Sequence, residues 1–352
     1  MCNIAGYVGK KNATPILLEM IKAQEGLNGG FYSGLALHNG KGLEYCKMRG
    51  DFAKLLKETR AGDLMGNTGI IHSRTPSGGD DAWAHPFFTQ IRGETEMCYV
   101  ANGGYGRYHN RKNEYNAIAD ALVADGLDIP CKTEQGCEKY NRLASGEFIH
   151  MSDVMCQLIY KYKESGLDTA NAMTRAFSQM PSEIVGLVIC REDPDRIFFS
   201  RINKPMFVGF DQDGAYLASS PTAFPKSVTD YKLLPALSSG VVCSDRYEVF
   251  RYPAFLEKVR AFNKKTVQNA SECILSLLKE GECGARDMMR ALSARMPKNE
   301  ILQVDAIVYM ALDALLKSGR IIKREGTHTV DGQTAPKTFF HKIVDNNNKK
   351  AY

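Results

Sequence analysis

The pattern of the chain changes near Tyr252-Pro253, and that break constrains the fold more than any single motif. Before it, short apolar runs bounded by turn residues alternate with segments of helical spacing. Residues 4–8, 33–38, 69–72 and 97–101 read as strands, and 113–124, 152–164 and 169–179 as helices. Thr14-Pro15 opens a further helix, and 52–59 reads as a short one. Six strand-like runs, from IVGLVIC to YEVFRY, close this part. The stretch 126–147 has no clear period and reads as a surface insertion. After the break the spacing turns helical over 267–278, 285–296 and 302–316. Two strands follow, RIIKRE and KTFFHKI, with GTHTVDGQTAP between them as a turn-rich loop. At 352 residues two domains are expected: 2–252, a layered α+β body, and 253–345, with a polar tail over 346–352.

Composition narrows the class. With 44% hydrophobic and 24% charged residues the chain suits a soluble globular protein, and no apolar run approaches the roughly 18 residues of a membrane helix. The start MCNIAGYVGKK lacks the order of a secretory signal, so a cytoplasmic protein away from membranes is expected. The ten cysteines are scattered and form no CxxC pair, which argues against a zinc site. Apart from Cys2 they read as small buried hydrophobes in a reducing compartment. From Arg251 onward 18 basic and 11 acidic residues leave a net +7, against −2 for the first 250. That asymmetry fits two parts with different surfaces but is too mild to indicate nucleic acid.

Cys2 carries the chemistry. Trimming of Met1 before a small residue would expose it with a free α-amine, whose pKa is about 7.7–8.0 beside a thiol of about 8.5. One residue would then supply both nucleophile and base, with no metal or cofactor required. A cysteine at position 2 is by itself unremarkable, so the surroundings decide. Cys2-Asn3-Ile4-Ala5-Gly6-Tyr7 opens the chain. Gly30-Phe31-Tyr32-Ser33-Gly34, Gly69-Ile70-Ile71-His72-Ser73-Arg74, Ser77-Gly78-Gly79, Ala84-His85-Pro86 and Asn102-Gly103 follow in order. This series resembles the class II glutamine amidotransferases of the N-terminal-nucleophile hydrolase superfamily. The likeness is nearest to the glutaminase domain of glucosamine-6-phosphate synthases, and it covers roughly residues 2 to 250.

The resemblance implies a four-layer αββα sandwich and a glutaminase mechanism. Cys2 would attack the side-chain amide of glutamine, giving a thioester and ammonia. The Asn102 side chain and the Gly103 backbone N–H would hold the oxyanion, a role worth roughly 3–4 kcal/mol per donor. Arg74 would clamp the substrate carboxylate, Ser77 would add a hydroxyl contact, and His85 would shape the pocket wall. Each has an ordinary reading alone: Asn102-Gly103-Gly104 is a turn signal, Arg74 a surface charge, and His72 a packed strand histidine. The chain departs from the family pattern in two places. Thr75 stands where the family has tryptophan. Met151 stands where an aspartate binds the substrate ammonium, leaving Asp153 as a substitute.

No sugar-isomerase or phosphoribosyl half follows residue 250, and no glycine-rich phosphate loop is present. The last hundred residues resemble a winged helix-turn-helix. Its third helix would leave Gln303, Asp305, Tyr309, Met310 and Asp313 outside, with two carboxylates and no cation. That face suits a protein better than phosphates. Arg320, Lys323 and Arg324 on the wing leave non-specific nucleic-acid binding open. The favoured reading is a glutaminase-type amidotransferase that supplies ammonia to an acceptor enzyme on a partner. An amidase for another amide, or a noncatalytic protein that keeps the fold, are the alternatives. A retained Met1 would favour the last.

Overall fold

The computed structural model describes residues 2–76, 78–135, 140–252, 258–297 and 301–343. In chain order the first part runs β1 (Asn3–Gly9), α1 (Ala13–Asn28), β2 (Tyr32–His38), β3 (Leu43–Arg49), α2 (Phe52–Glu58), β4 (Thr68–Arg74), β5 (Phe87–Ile91) and β6 (Glu94–Gly104). It continues through α3 (Lys112–Ala124), β7 (Asn141–Arg142), β8 (Phe148–Ile149), α4 (Met151–Glu164) and α5 (Thr169–Gln179). It closes with β9 (Glu183–Cys190), β10 (Ile197–Arg201), β11 (Phe207–Phe210), β12 (Gly214–Ala218), β13 (Tyr231–Leu233), β14 (Ser238–Val242) and β15 (Tyr247–Arg251). Two antiparallel sheets result, ordered β13-β11-β12-β1-β4-β2-β3 and β15-β14-β10-β9-β6-β5.

Alternation along each strand sorts side chains into layers. Ile4 and Val8 of β1, Ile70 of β4, and Cys98 and Val100 of β6 meet in a core between the sheets. Ala5, Tyr7, Leu35 and Ile71 turn the other way, onto Leu17 and Ile21 of α1 and Leu55 of α2. On the far side, Met97, Tyr99 and Val188 pack on residues of α3, α4 and α5, among them Tyr115, Ile159 and Phe177. The body is therefore helix, sheet, sheet, helix, as four layers.

Two expectations need correction. The stretch 126–147 is not only surface: Ile129, Cys131 and Leu143 are buried in the outer core, because their apolar side chains fill the space beside α4. The loop expected between the last two strands is mostly strand. The last part comprises α6 (Lys264–Leu277), α7 (Ala285–Ser293), α8 (Val304–Lys317), β16 (Ile321–Val330) and β17 (Gln333–Lys342). The hairpin turns on Asp331-Gly332, both at positive φ (51° and 74°). Asp-Gly suits such a two-residue turn, and threonines on either side keep the ladder running. The expected junction at 252–253 and the tail 346–352 fall on or beside residues outside the described set.

The three helices and the hairpin share a core of Ile274, Met288, Ile307, Leu312 and Phe340. Leu27 and Phe207 of the first part join that core, so the two parts are packed together. The α8 face expected to look outward is the one that docks. Asp305 pairs with Lys204 at 2.9 Å, the Asn28 amide donates to the Tyr309 hydroxyl at 2.8 Å, and Tyr231 donates to Asp313 at 2.7 Å. Residues 305, 309 and 313 are four apart and form one stripe along the helix. Just before it, Gln303 accepts from the buried Arg201 guanidinium at 2.7 Å.

Lys204 is nearly enclosed, and its other carboxylate, Glu183, is farther off at 3.6 Å. Removing Asp305 leaves this mostly buried ammonium with only the more distant Glu183 carboxylate. Asp305→Ala is expected to cost about 3 kcal/mol in urea unfolding. An unchanged unfolding midpoint would show that the docking stripe contributes nothing to stability.

Candidate active site

The same alternation builds the site. In the β1–β4 ladder Asn3 pairs with Ser73 and Ile4 with His72, which sets Cys2 beside Arg74 at the end of β1. Ile4 and Ile70 face between the sheets, so Cys2, His72 and Arg74 share that face. On β6 Asn102 has the parity of Cys98 and Val100 and looks back at them from the second sheet.

Cys2 is 7% exposed. Its backbone N–H donates to Asn102 Oδ1 at 2.9 Å. That bond orients the amide: among the described residues the buried Asn102 Nδ2 has no acceptor, so one donor stays available close to the sulfur. Gly103 follows at φ 147° at the strand end, and a Cβ there would lie 2.1 Å from the Glu183 carbonyl oxygen, so only glycine fits. Thr75 Oγ1 is 3.9 Å from Cys2 Sγ.

Burial opposes ionisation of the thiol. The neighbouring His72 ring, the charge at the start of the chain and the Thr75 backbone N–H more than offset it, and the Cys2 pKa falls to about 6. His72 Nε2 lies 2.9 Å from the Ala101 carbonyl oxygen, to which it donates, and that bond fixes the ring beside Cys2. The His72 ring stacks on His85, with centroids 3.8 Å apart. Burial, then the neighbouring positive groups, push His85 well below the usual imidazole range, so it is neutral. A Cβ at Gly34 would sit 2.1 Å from the His85 carbonyl oxygen, so this glycine lets the His85 segment lie against β2.

Arg74 is buried, and Nη1 donates to the Trp83 carbonyl at 3.1 Å and the Gly78 carbonyl at 3.3 Å. Its guanidinium stacks 4.4 Å from the Tyr32 ring. Nη2 has no acceptor among the described residues, and no carboxylate pairs with the group there. A buried cation with a free donor is suited to a carboxylate brought in from outside.

Ser77 lies outside the described residues. Asp153 is placed elsewhere than in an open pocket: it is fully buried, Oδ2 accepts from Cys131 N–H at 2.9 Å, and Oδ1 accepts from Gln157 Nε2 at 2.9 Å. Burial raises its carboxyl pKa. His72 was missed as a site residue. The signal was its parity with Arg74, two residues apart on one strand.

No family model matches the chain. It is 23% identical over 253 residues to the glutamine–fructose-6-phosphate aminotransferase (isomerizing) of Clostridium tetani, covering 71% of this chain and 36% of that one. It is 26% identical over 226 residues to the enzyme of the same name from Bacteroides thetaiotaomicron, covering 63% and 32%. The chain thus spans about a third of the length of these curated relatives. Among solved structures it resembles the glutamine phosphoribosylpyrophosphate amidotransferase of B. subtilis complexed with ADP and GMP. The TM-score is 0.58 at 14% identity, covering 92% of this chain and 66% of that one. A structure titled as the allosteric regulatory enzyme of purine biosynthesis gives 0.57 at 13% identity, covering 79% and 58%. The fold is therefore shared with glutamine amidotransferases.

Alkylation of Cys2 by iodoacetamide, followed by peptide mass spectrometry, is expected to rise with a midpoint near pH 6. His72→Gln should move that midpoint up by more than one unit, toward the ordinary thiol range. Equal midpoints in the two proteins would remove His72 from the thiol's environment.

Proposed function

We propose that the chain is a glutamine amidotransferase of class II, with Cys2 as an N-terminal nucleophile once Met1 is removed. The observation that carries this reading is the Asn102 amide. Its oxygen is held by the Cys2 nitrogen, and its N–H₂ is left buried and open beside the sulfur. Cys2 Sγ attacks the side-chain carbonyl carbon of glutamine. Asn102 Nδ2 and the Gly103 N–H stabilise the oxyanion that forms. The C–N bond then breaks, and the Cys2 α-amine passes a proton to the leaving ammonia. Water hydrolyses the thioester to glutamate. Arg74 Nη2 holds the α-carboxylate, and the neutral His85 ring forms wall rather than acting as acid or base.

The C-terminal unit is read as a winged helix. The order of three helices and a hairpin supports this, as does the bridge of Cys283, between α6 and α7, to Phe340 on β17. With the exposed stripe of its third helix spent on the first part, it acts as a docked cap rather than a reader of DNA. Arg324 on the hairpin is paired with Glu282 at 2.6 Å, which weakens the case for gripping nucleic acid. The ammonia goes to an acceptor on a partner protein. Among the described residues no helix is long and apolar enough to cross a membrane.

Ammonia release from glutamine by the purified protein tests the reading. Cys2→Ala should abolish it. Asn102→Ala should lower kcat by about 100-fold or more with little change in KM, because its donor acts on charge present only in the transition state. Equal release by wild type and Cys2→Ala would overturn the assignment.

One observation favours a second reading, an amidase with a broader substrate. Both Asp153 oxygens are engaged, and Met151 cannot pair with an ammonium. N-acetylglutamine is then expected to react within about tenfold of glutamine, the span of about 1.4 kcal/mol. Strong rejection of it would show that a carboxylate does recognise the substrate amine.

A further inference from the structure

One residue, Glu183, braces the strand end that carries the proposed oxyanion donor. β6 and β9 pair so that Gly103 stands opposite Ile184 and Gly104 opposite Glu183, the first residue of β9. The backbones approach so closely that a Cβ on Gly103 would lie 2.1 Å from the Glu183 carbonyl oxygen. Beyond the ladder the chain turns at Gly106, φ 53°, and the Glu183 side chain lies over that turn, its Cδ 2.2 Å from where a Gly106 Cβ would be. Glu183 Oε1 accepts from the Arg107 N–H at 3.3 Å. Glu183 thus holds the segment 103–107 at both ends, by backbone at Gly103 and by side chain at Gly106 and Arg107.

The other oxygen of that carboxylate faces a cation shared with the second part of the chain. Glu183 Oε2 lies 3.6 Å from Lys204 Nζ, and the same ammonium lies 2.9 Å from Asp305 Oδ2, in the first turn of α8. The Lys204 and Asp305 side chains are only 16% and 8% exposed, so water competes little for either. Burial opposes the Lys204 charge, but Asp305 and then Glu183 outweigh it and raise the pKa, so the ammonium stays charged between two carboxylates. The row Asp305, Lys204, Glu183 therefore runs from the docked cap to the turn that follows Gly103.

We infer that Glu183 and Lys204 are positioning residues for the Gly103 oxyanion donor, and that Asp305 makes their placement depend on the docked C-terminal unit. The inference rests on the reading of Gly103 as that donor. A backbone N–H stabilises the oxyanion only from one position, and a displacement of about 1 Å can cost about 100-fold in rate. The cap then does more than cover the first part, because α8 helps to set the geometry of the chemical step.

Kinetics of ammonia release from glutamine by the full chain test this. Lys204→Met should lower kcat by about tenfold or more while KM stays within about threefold, because Gly103 acts on charge present only in the transition state. Asp305→Asn, close to isosteric, should lower kcat in the same direction and guards against misfolding of Lys204→Met. Tyr231→Phe removes the hydrogen bond to Asp313 on the same docking stripe and should leave kcat unchanged. The pH midpoint of Cys2 alkylation should be the same in every variant, since no oxyanion forms in that reaction. Hydrogen exchange read by mass spectrometry needs no turnover: it should be faster over 103–108 in Lys204→Met than in wild type, and not in Tyr231→Phe. Full kcat in both Lys204→Met and Asp305→Asn, an equal loss in Tyr231→Phe, a shifted alkylation midpoint, or unchanged exchange over 103–108 would overturn the inference. Loss in Lys204→Met alone would overturn the link to the C-terminal unit. If wild type releases no ammonia, the amidotransferase reading fails, and exchange over 103–108 still decides whether this row holds the turn.

Discussion

The hydrogen bond from the Cys2 nitrogen to Asn102 Oδ1 joins the two sheets at the point where chemistry is proposed. Cys2 precedes β1 in the first sheet, and Asn102 lies near the end of β6 in the second. The bond can form because the core between the sheets closes on apolar side chains, Ile4 and Ile70 against Val100 and Leu187. It has a chemical consequence as well as a structural one. An amide with its oxygen occupied must present its N–H₂ in the other direction, so the packing of the sheets presets an oxyanion donor. Preorganisation of that kind costs nothing at the moment of reaction.

Around this contact the site holds polar atoms that the fold leaves without partners. Asn102 Nδ2, Arg74 Nη2 and both His85 nitrogens are buried and unpaired among the described residues. Buried polar groups in folded proteins nearly always find partners. Several of these orphans sit together on β4, its following loop and β6, beside Cys2, where the proposed glutamine would complete them. Asp153 is the counterexample. It is as deeply buried as Arg74, but its two oxygens are satisfied by Cys131 and Gln157, and it serves to tie α4 to the preceding segment.

The C-terminal unit changes what the first part can expose. Asp305, Tyr309 and Asp313 would be a poor surface for phosphates, and in the structure they face Lys204, Asn28 and Tyr231. The docking places the hairpin and α7 over the end of α1, next to Thr75.

The layered body was legible in the sequence, because alternation and turn chemistry are local properties. Cys2, Arg74, Asn102 and Gly103 were legible together only through the resemblance to class II glutamine amidotransferases. The hairpin turn was legible too, within the expected loop that holds Asp331-Gly332; the strands run up to that turn instead of ending several residues before it. His72 was visible by parity but not by role, since its effect on Cys2 depends on a neighbouring strand. What only the tertiary structure decided were pairings between residues far apart in the chain. Asp153 is spent on Cys131, Ile129, Cys131 and Leu143 of the insertion-like stretch join the core, and the outer stripe of α8 is buried against Lys204, Asn28 and Tyr231. Local spacing tells which side of an element a residue occupies. It carries no information about which distant surface will cover that side, because that choice belongs to the packing of the whole chain.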